Sequence, residues 1–447
     1  MISIAHRIQL MPNNKQKTYF RKAIGCNRLA YNWGLAEWER RHKKGETLLN
    51  DIVIRNAFNA IRRELFPFTY EVTKYATSYA FKDLYNGFKN FFAKRAGYPK
   101  PHKKKEGCGS FYVCCGERVS LNDEHKGMKH LKGVAHNKKR KHQYLNVPNL
   151  GYVKMSERLR FNGKINYVRI KQEGEKFFAV FSVNISEEEY IRTHPKSAFC
   201  KEDCAVGIDI GLKDVMTLSD GIVIKNPHSF RKHERKLART MRQLERRVHV
   251  KTKQDRKENV SSSNNYRKAA NRLRRLHQHI ANERRDFQHK LTTVISTSYK
   301  YIVVEDADIA EWLRSRKVSK AAWDTGAGEI RREIKYKSAM KGVRLVLADQ
   351  YYASSKICSH CGSRKEILAL NERIYRCPHC GAVMDRDFNA SLNLLSLLEK
   401  QIGVDYSKLT PVDLKALQSR FALNGIATSK VDTGRQQKPQ CRNIAAL

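Results

Sequence analysis

The chain has no run of about 18 or more apolar residues, the minimum for a membrane-spanning helix, anywhere in its 447 residues. Its opening stretch, MISIAHRIQLMPNN, lacks the charged, apolar and cleavage regions of a secretory signal. A soluble, intracellular protein with no membrane partner is therefore expected. Acidic residues are scarce as well: 44 Asp and Glu face 87 Lys and Arg, for a net charge of +43. Such an excess calls for a polyanion, and nucleic acid is the obvious one. A short or low-complexity basic scaffold is disfavoured by the 41% hydrophobic content. A disulfide framework is missing too, since 11 cysteines are sparse for this length and four of them form an ordered C-terminal pattern.

What is present changes character along the chain, and its length suits two or three domains. Ser3 to Leu10 alternates like a half-buried strand. Lys15 to about Arg95 reads as helical and rich in aromatics, with Tyr85, Phe88, Phe91 and Phe92 expected in a helical core rather than on a base-stacking surface. The basic run at 101–105 reads as a solvated boundary loop. YLNVPNLGYVKM, INYVRIKQEG and KFFAVFSVNI then read as short strands of a small barrel or sheet, which the first strand could join.

The C-terminal half carries the chemistry. AVGIDIGLKDVMTLSDGIVIKNP reads as three strands with turns, placing Asp209 at the end of an apolar strand. A strand followed by Asp-x-Gly also opens the phosphate loop of actin-like ATPases, but Leu212 stands where those enzymes need Ser or Thr. Between Arg231 and Lys290 there are 20 Lys or Arg against 6 Asp or Glu. Leu273, Leu276, Ile280, Phe287, Leu291 and Val294 recur there at helical spacing, leaving Arg272, Arg274, Arg275, Arg284 and Arg285 off the packed face. Two helices joined near VSSSNN are expected to grip a nucleic-acid backbone. YIVVE ends a second apolar strand on Glu305, where a carboxylate needs a cation or donor to offset its desolvation. Asp306 and Asp308 read as helix-capping or solvent-facing.

CSHCG and CPHCG follow, with 15 residues between Cys361 and Cys377. This spacing closes a tetrahedral zinc site from Cys358, Cys361, Cys377 and Cys380, and four thiolates leave no role for His360 or His379. DRDFNASLNLL then starts a helix with Asp385 and Asp387 at its N-terminus, where an Asp taken alone reads as a cap.

GIDIGLKD, IVVED, the paired CxxC turns and DRDFNASLNLL, in that order, resemble the split RuvC-type nuclease of transposon-encoded TnpB proteins and of their relatives, the compact type V CRISPR effectors. The resemblance spans at least residues 205–395 and includes SSNNYRKAANRLRRLHQHIANERRDFQHKL. Ala307, where the family commonly has Leu, and QYYASSKIC depart from its pattern.

The resemblance implies an α/β plus α+β multidomain protein. It has an RNase H-like (RuvC) mixed sheet at 201–350 and 382–400 with a zinc ribbon inserted at 351–381. A wedge-like β-barrel at 1–12 and 106–200 is interrupted by a helical recognition lobe at 13–105. Beyond the resemblance, residues 401–447 read as a short helix at PVDLKALQSRF followed by a polar stretch, together expected to form a mobile tail. Asp209, Glu305 and Asp387 match the family's catalytic acids, and Asp385 matches a motif position that is not the usual ligand. Three such acids imply two Mg²⁺ or Mn²⁺ ions about 4 Å apart, whereas the closed four-thiolate zinc is structural. The implied partners are a guide RNA, of transposon-end or CRISPR type, and double-stranded target DNA bearing a short flanking motif. A monomer in a prokaryotic cytoplasm, associated with the nucleoid, is expected. A transposon-associated RNA-guided DNA endonuclease is expected, the intact acids favouring it over a cleavage-silent RNA-guided repressor and the helical N-terminal lobe over a guide-independent RuvC-like nuclease, with a compact type V CRISPR effector as a further alternative.

Overall fold

Alternation along β1 (Ile2–Leu10) buries Ile4, Ile8 and Leu10 on one side of a strand. The computed structural model describes residues 2–46, 50–103, 108–115, 119–122, 143–193, 204–247, 263–306, 309–369 and 372–431. It forms two units, Met1–Pro195 and Lys196–Leu447. In the first unit the further strands are β2 (Cys108–Cys115), β3 (Leu121–Asn122), β4 (Tyr144–Val147), β5 (Gly151–Lys154), β6 (Lys164–Glu173) and β7 (Lys176–Ile185). An antiparallel sheet runs β1-β7-β6-β2, and a three-stranded sheet runs β3-β4-β5. Leu10 bridges to Met155 next to the second sheet. Where a small barrel is expected from the sequence, the described strands make these two sheets, and no pairing closes either on itself among the described residues.

Helices Asn14–Lys43, Asp51–Leu65 and Lys74–Phe92 follow β1. Asn13 begins the first of them with a capping box shared with Gln16. Their common core is Tyr31, Leu35, Trp38, Ile54, Phe58, Phe81, Leu84 and Phe88. The core expectation holds for Phe88 but not for Phe92, which is 67% exposed. Phe92 borders an open cavity of about 1050 Å³ with Trp38, Tyr85, Lys89 and Arg95. The helix reaches its last turn there, so its packed face has run out of partners. The basic run is also more than a solvated loop. His102 stacks on Tyr31 with ring centroids 3.8 Å apart, and its backbone exchanges two hydrogen bonds with the Asn32 side chain.

The second unit is built on β8 (Ala205–Ile210), β9 (Asp214–Leu218), β10 (Ile222–Lys225), β11 (Tyr301–Glu305) and β12 (Arg344–Ala348), with a ribbon hairpin of β13 (Ile374–Arg376) and β14 (Val383–Asp385), and β15 (Thr428–Lys430). The central sheet runs β12-β11-β8-β9-β10-β15. Strands β8, β9 and β10 form an antiparallel meander, and β11 and β12 extend it parallel to β8. Val206, Ile208, Ile302 and Val304 pack on one face against Leu291, Val294 and Ile295 of helix Asn264–Ser298 and Ile330 and Ile334 of helix Ala327–Lys341. Val303, Val346 and Ala348 pack on the other face against Leu394, Leu397 and Leu398. The sheet is thus covered on both sides, as runs of Val and Ile without polar alternation require.

A mobile tail from residue 401 is corrected by residues 401–431. Leu417 and Phe421 of helix Leu414–Leu423 are buried in the sheet's core, and β15 pairs with β10. An apolar pair four residues apart gives the short helix a face to bury. Residues 432–447, Ala307, Asp308 and most of the segment around VSSSNN lie outside the described residues. Among the described residues no helix is long and apolar enough to cross a membrane.

Candidate active site and metal centre

Period-two geometry decides which side chains meet. In β8, Ala205, Gly207 and Asp209 share a face opposite to that of Val206, Ile208 and Ile210, and in β11, Tyr301, Val303 and Glu305 do the same. The two strands are parallel with Val304 opposite Ile208. The next residues, Asp209 and Glu305, therefore end neighbouring strands side by side, on the face that helix Arg386–Leu395 covers.

Gly207 lets that helix come close. A β-carbon there would lie 2.1 Å from the Ser391 carbonyl oxygen and 2.6 Å from the Leu395 nitrogen, so only glycine permits this crossing. Asp385 caps the helix, accepting from the backbone N–H groups of Asp387 and Phe388 at 2.9 Å each. The cap is Asp385 and not Asp387, whose carboxylate lies 3.2 Å from Arg386 and 3.7 Å from Arg373.

Burial, and after it the charges of Asp387 and Glu305, push the Asp209 carboxyl well above the usual carboxylate range, with Arg386 opposing and Asp385 adding. Burial also raises Glu305. Asp209 is thus electrostatically joined to both of the other acids. Asp306 turns away to a 2.5 Å ion pair with Arg331. Among the described residues the three carboxylates are not gathered within the 4.8 Å mutual spacing that the ribbon thiols reach.

The four thiols form the tighter centre. All four Sγ atoms lie within 4.8 Å of one another, with Cys358 and Cys380 at 3.7 Å and Cys361 and Cys377 at 3.6 Å. Sulfurs bound tetrahedrally at about 2.3 Å from one zinc stand roughly 3.8 Å apart, so the set fits Zn²⁺. Burial alone would raise the Cys377 thiol, but the Cys380 N–H, the Ser363 hydroxyl and the His379 N–H outweigh it and bring the thiol down to about 5. Such donors favour the thiolate that a metal binds.

Two asparagines tie this ribbon to the acid-bearing helix. Buried Asn389 accepts from the Ser359 N–H at 2.9 Å and donates to the Ile357 carbonyl at 2.7 Å. Asn393, one turn on, donates to the carbonyls of Ser354 and Ile357. Both are missed by a reading for metal ligands, although Asn at i and i+4 on an otherwise apolar helix face is a signal for paired buried amides. The second ribbon strand runs on to Asp385, past the expected boundary at 381. No break in the chain separates ribbon from cap.

Comparison with known proteins agrees with this layout. The family model described as "Cas12f1-like, TNB domain" matches residues 328–394, "Probable transposase" matches 191–316 and "Helix-turn-helix domain" matches 1–47. The last stretch folds here as β1 and one long helix. "Putative RNA-guided DNA endonuclease InsQ" of Escherichia coli (strain K12) is 27% identical over 411 residues, covering 88% of this chain and 91% of the relative. A protein named "Putative RNA-guided DNA endonuclease" from Streptomyces pristinaespiralis is 28% identical over 402 residues, covering 88% of each. A Cas12f1 chain solved by cryo-electron microscopy with single-guide RNA and target DNA aligns over 86% of this chain and 83% of its own, at 13% identity and a TM-score of 0.46.

Proposed function

We propose that this chain, a TnpB-like relative of the type V effectors, is an RNA-guided DNA endonuclease that cuts phosphodiester bonds at Asp209, Glu305 and Asp387. The observation that carries the reading is the convergence of these acids. Two end adjacent parallel strands, the third begins the helix crossing them, and Asp209 feels the charge of both others. The meander extended by two parallel strands is the RNase H-like strand order, and the ribbon enters just before its last acid-bearing helix.

An all-oxygen donor set suits a hard divalent cation, Mg²⁺ or Mn²⁺. Bound there, two such ions supply an activated water and stabilise the leaving 3′-oxygen. Asp209, which feels the charges of both other acids, would be the ligand shared between the ions. Its raised carboxyl favours the protonated form, and a bound cation would favour release of that proton. Arg373 and Arg386 flank the Asp387 carboxylate, and guanidinium groups of this kind pair with phosphate.

The four-thiolate zinc would be structural, fixing the turn that Asn389 ties to the acid-bearing helix. The basic helices Ser229–Glu245 and Asn264–Ser298, together with the overall +43, hold the guide RNA and its duplex with target. The helical segment 14–92, with Trp38, Phe92, Lys89 and Arg95 around its open cavity, and the two N-terminal sheets serve as recognition lobe and wedge.

The experiment is to purify the protein from its native host, sequence the RNA that accompanies it and re-target that RNA to a chosen plasmid. Cutting that needs both a matched guide and Mg²⁺ supports the reading. Guide-independent cutting would identify a free-standing nuclease, and tight matched binding without a cut would identify a repressor.

A further inference from the structure

The two basic helices meet through a small apolar contact of Leu237, Leu276 and Ile280, with Phe230 and Leu273 beside it. Charge of one sign on both helices opposes that contact. Close to it, outside the acid site and the ribbon, three potential metal ligands converge. His279 and Glu283 lie four residues apart on one face of helix Asn264–Ser298, and His233 reaches across from helix Ser229–Glu245.

The geometry is specific. His233 Nε2 lies 3.1 Å from Glu283 Oε2, and His279 Nε2 lies 3.1 Å from Glu283 Oε1. The imidazoles meet edge to face, with centroids 5.1 Å apart. One ligand atom from each residue lies within 4.8 Å of the other two. Ligands bonded at about 2.1 Å to one ion stand roughly 3.0–3.4 Å apart at octahedral to tetrahedral angles, so the spacing already matches a coordination edge. His233 and Glu283 are half-buried, which shields the group on one side, while His279 stays exposed and leaves an entry path.

We infer that His233, His279 and Glu283 form a second transition-metal site, of the Zn²⁺ class, that clamps the two basic helices together. Two imidazole nitrogens and one carboxylate select borderline cations such as Zn²⁺ or Co²⁺ over Mg²⁺. Three protein ligands leave a position for water. The bond crosses between helices whose connection runs through residues 246–263, so the metal closes that loop and stiffens a surface meant for polyanion.

The test is zinc stoichiometry of the full-length chain after equilibration with Zn²⁺ and removal of unbound metal. It is done in an Asp209→Asn background so that zinc at the acids does not count. The chain should hold one zinc beyond the four-thiolate site, and His279→Ala and Glu283→Gln should each remove that one and leave the ribbon's. His279 has a 58% exposed side chain, so its truncation leaves the fold intact, and Gln keeps the size of Glu283. Co²⁺ gives a second readout. Both variants should keep the intense sulfur-to-metal absorption of the ribbon and lose a weaker visible band from nitrogen and oxygen ligation. Equal zinc in parent and variants, or a Co²⁺ spectrum that neither substitution changes, overturns the site.

Discussion

Gly207 and Ser391 touch backbone to backbone: a β-carbon on the glycine would stand 2.1 Å from the serine carbonyl oxygen. This contact sets the distance between the strand carrying Asp209 and the helix carrying Asp387. Gly207→Ala must push the helix outward, and overpacking of this kind costs about 1–3 kcal/mol. The variant should melt several degrees lower and lose at least tenfold in guided cleavage, with every acid still present. Thermal unfolding and a cleavage time course check both effects.

Asp209→Asn should stabilise the metal-free protein while abolishing cutting. The folded carboxyl is raised by burial and by Asp387 and Glu305, so the folded chain binds this proton more tightly than the unfolded chain does. Stability then falls as pH rises from the unfolded value, about 3.9, towards the folded one. The amide removes that loss. Its advantage should be absent in acid and grow with pH, read as a Tm above the parent's. Calorimetry across pH in chelator tests it, and a variant less stable than the parent at neutral pH would count against the charge cluster.

Asn389→Ala should uncouple the ribbon from the site. It leaves the Ser359 N–H and the Ile357 carbonyl short of a partner, although Asn393 still donates to Ile357. The cost is about 1–3 kcal/mol. Zinc content should stay unchanged while cleavage drops, because the thiolates are intact and only the link to the Asp387 helix is lost. Metal analysis beside cleavage separates the two. Parallel loss of zinc would show that Asn389 supports the thiolates instead.

The sequence made some of this legible and hid the rest for physical reasons. Asp209 and Glu305 stand out because apolar strands end on them, and the thiols because their spacing is local. Asp387 is visible only through family resemblance, since an acid at a helix start reads as a cap. Asp385 turns out to take that role. Gly207 gives no local sign, because its need arises from a helix nearly two hundred residues later in the chain. A short helix is legible at PVDLKALQSRF, but its burial and the pairing of β15 are not, because short polar elements acquire their order from the sheet they join. His233 shows nothing alone, as its partners come from another helix. Phe92 was misjudged because periodicity tells which face packs but not where the partners stop.

The central claim is that Asp209, Glu305 and Asp387 act together as the cutting site. The most direct measurement compares guided cleavage of a matched DNA duplex in Mg²⁺ by the parent chain and by Asp209→Asn, Glu305→Gln, Asp387→Asn and Asp385→Asn. Target binding by the guide complex is followed in parallel. The account predicts unchanged binding throughout, no detectable cutting by the first three variants, and persistent cutting by Asp385→Asn, whose amide oxygen still caps the helix. Sustained cutting by any of the first three, with binding intact, would contradict it.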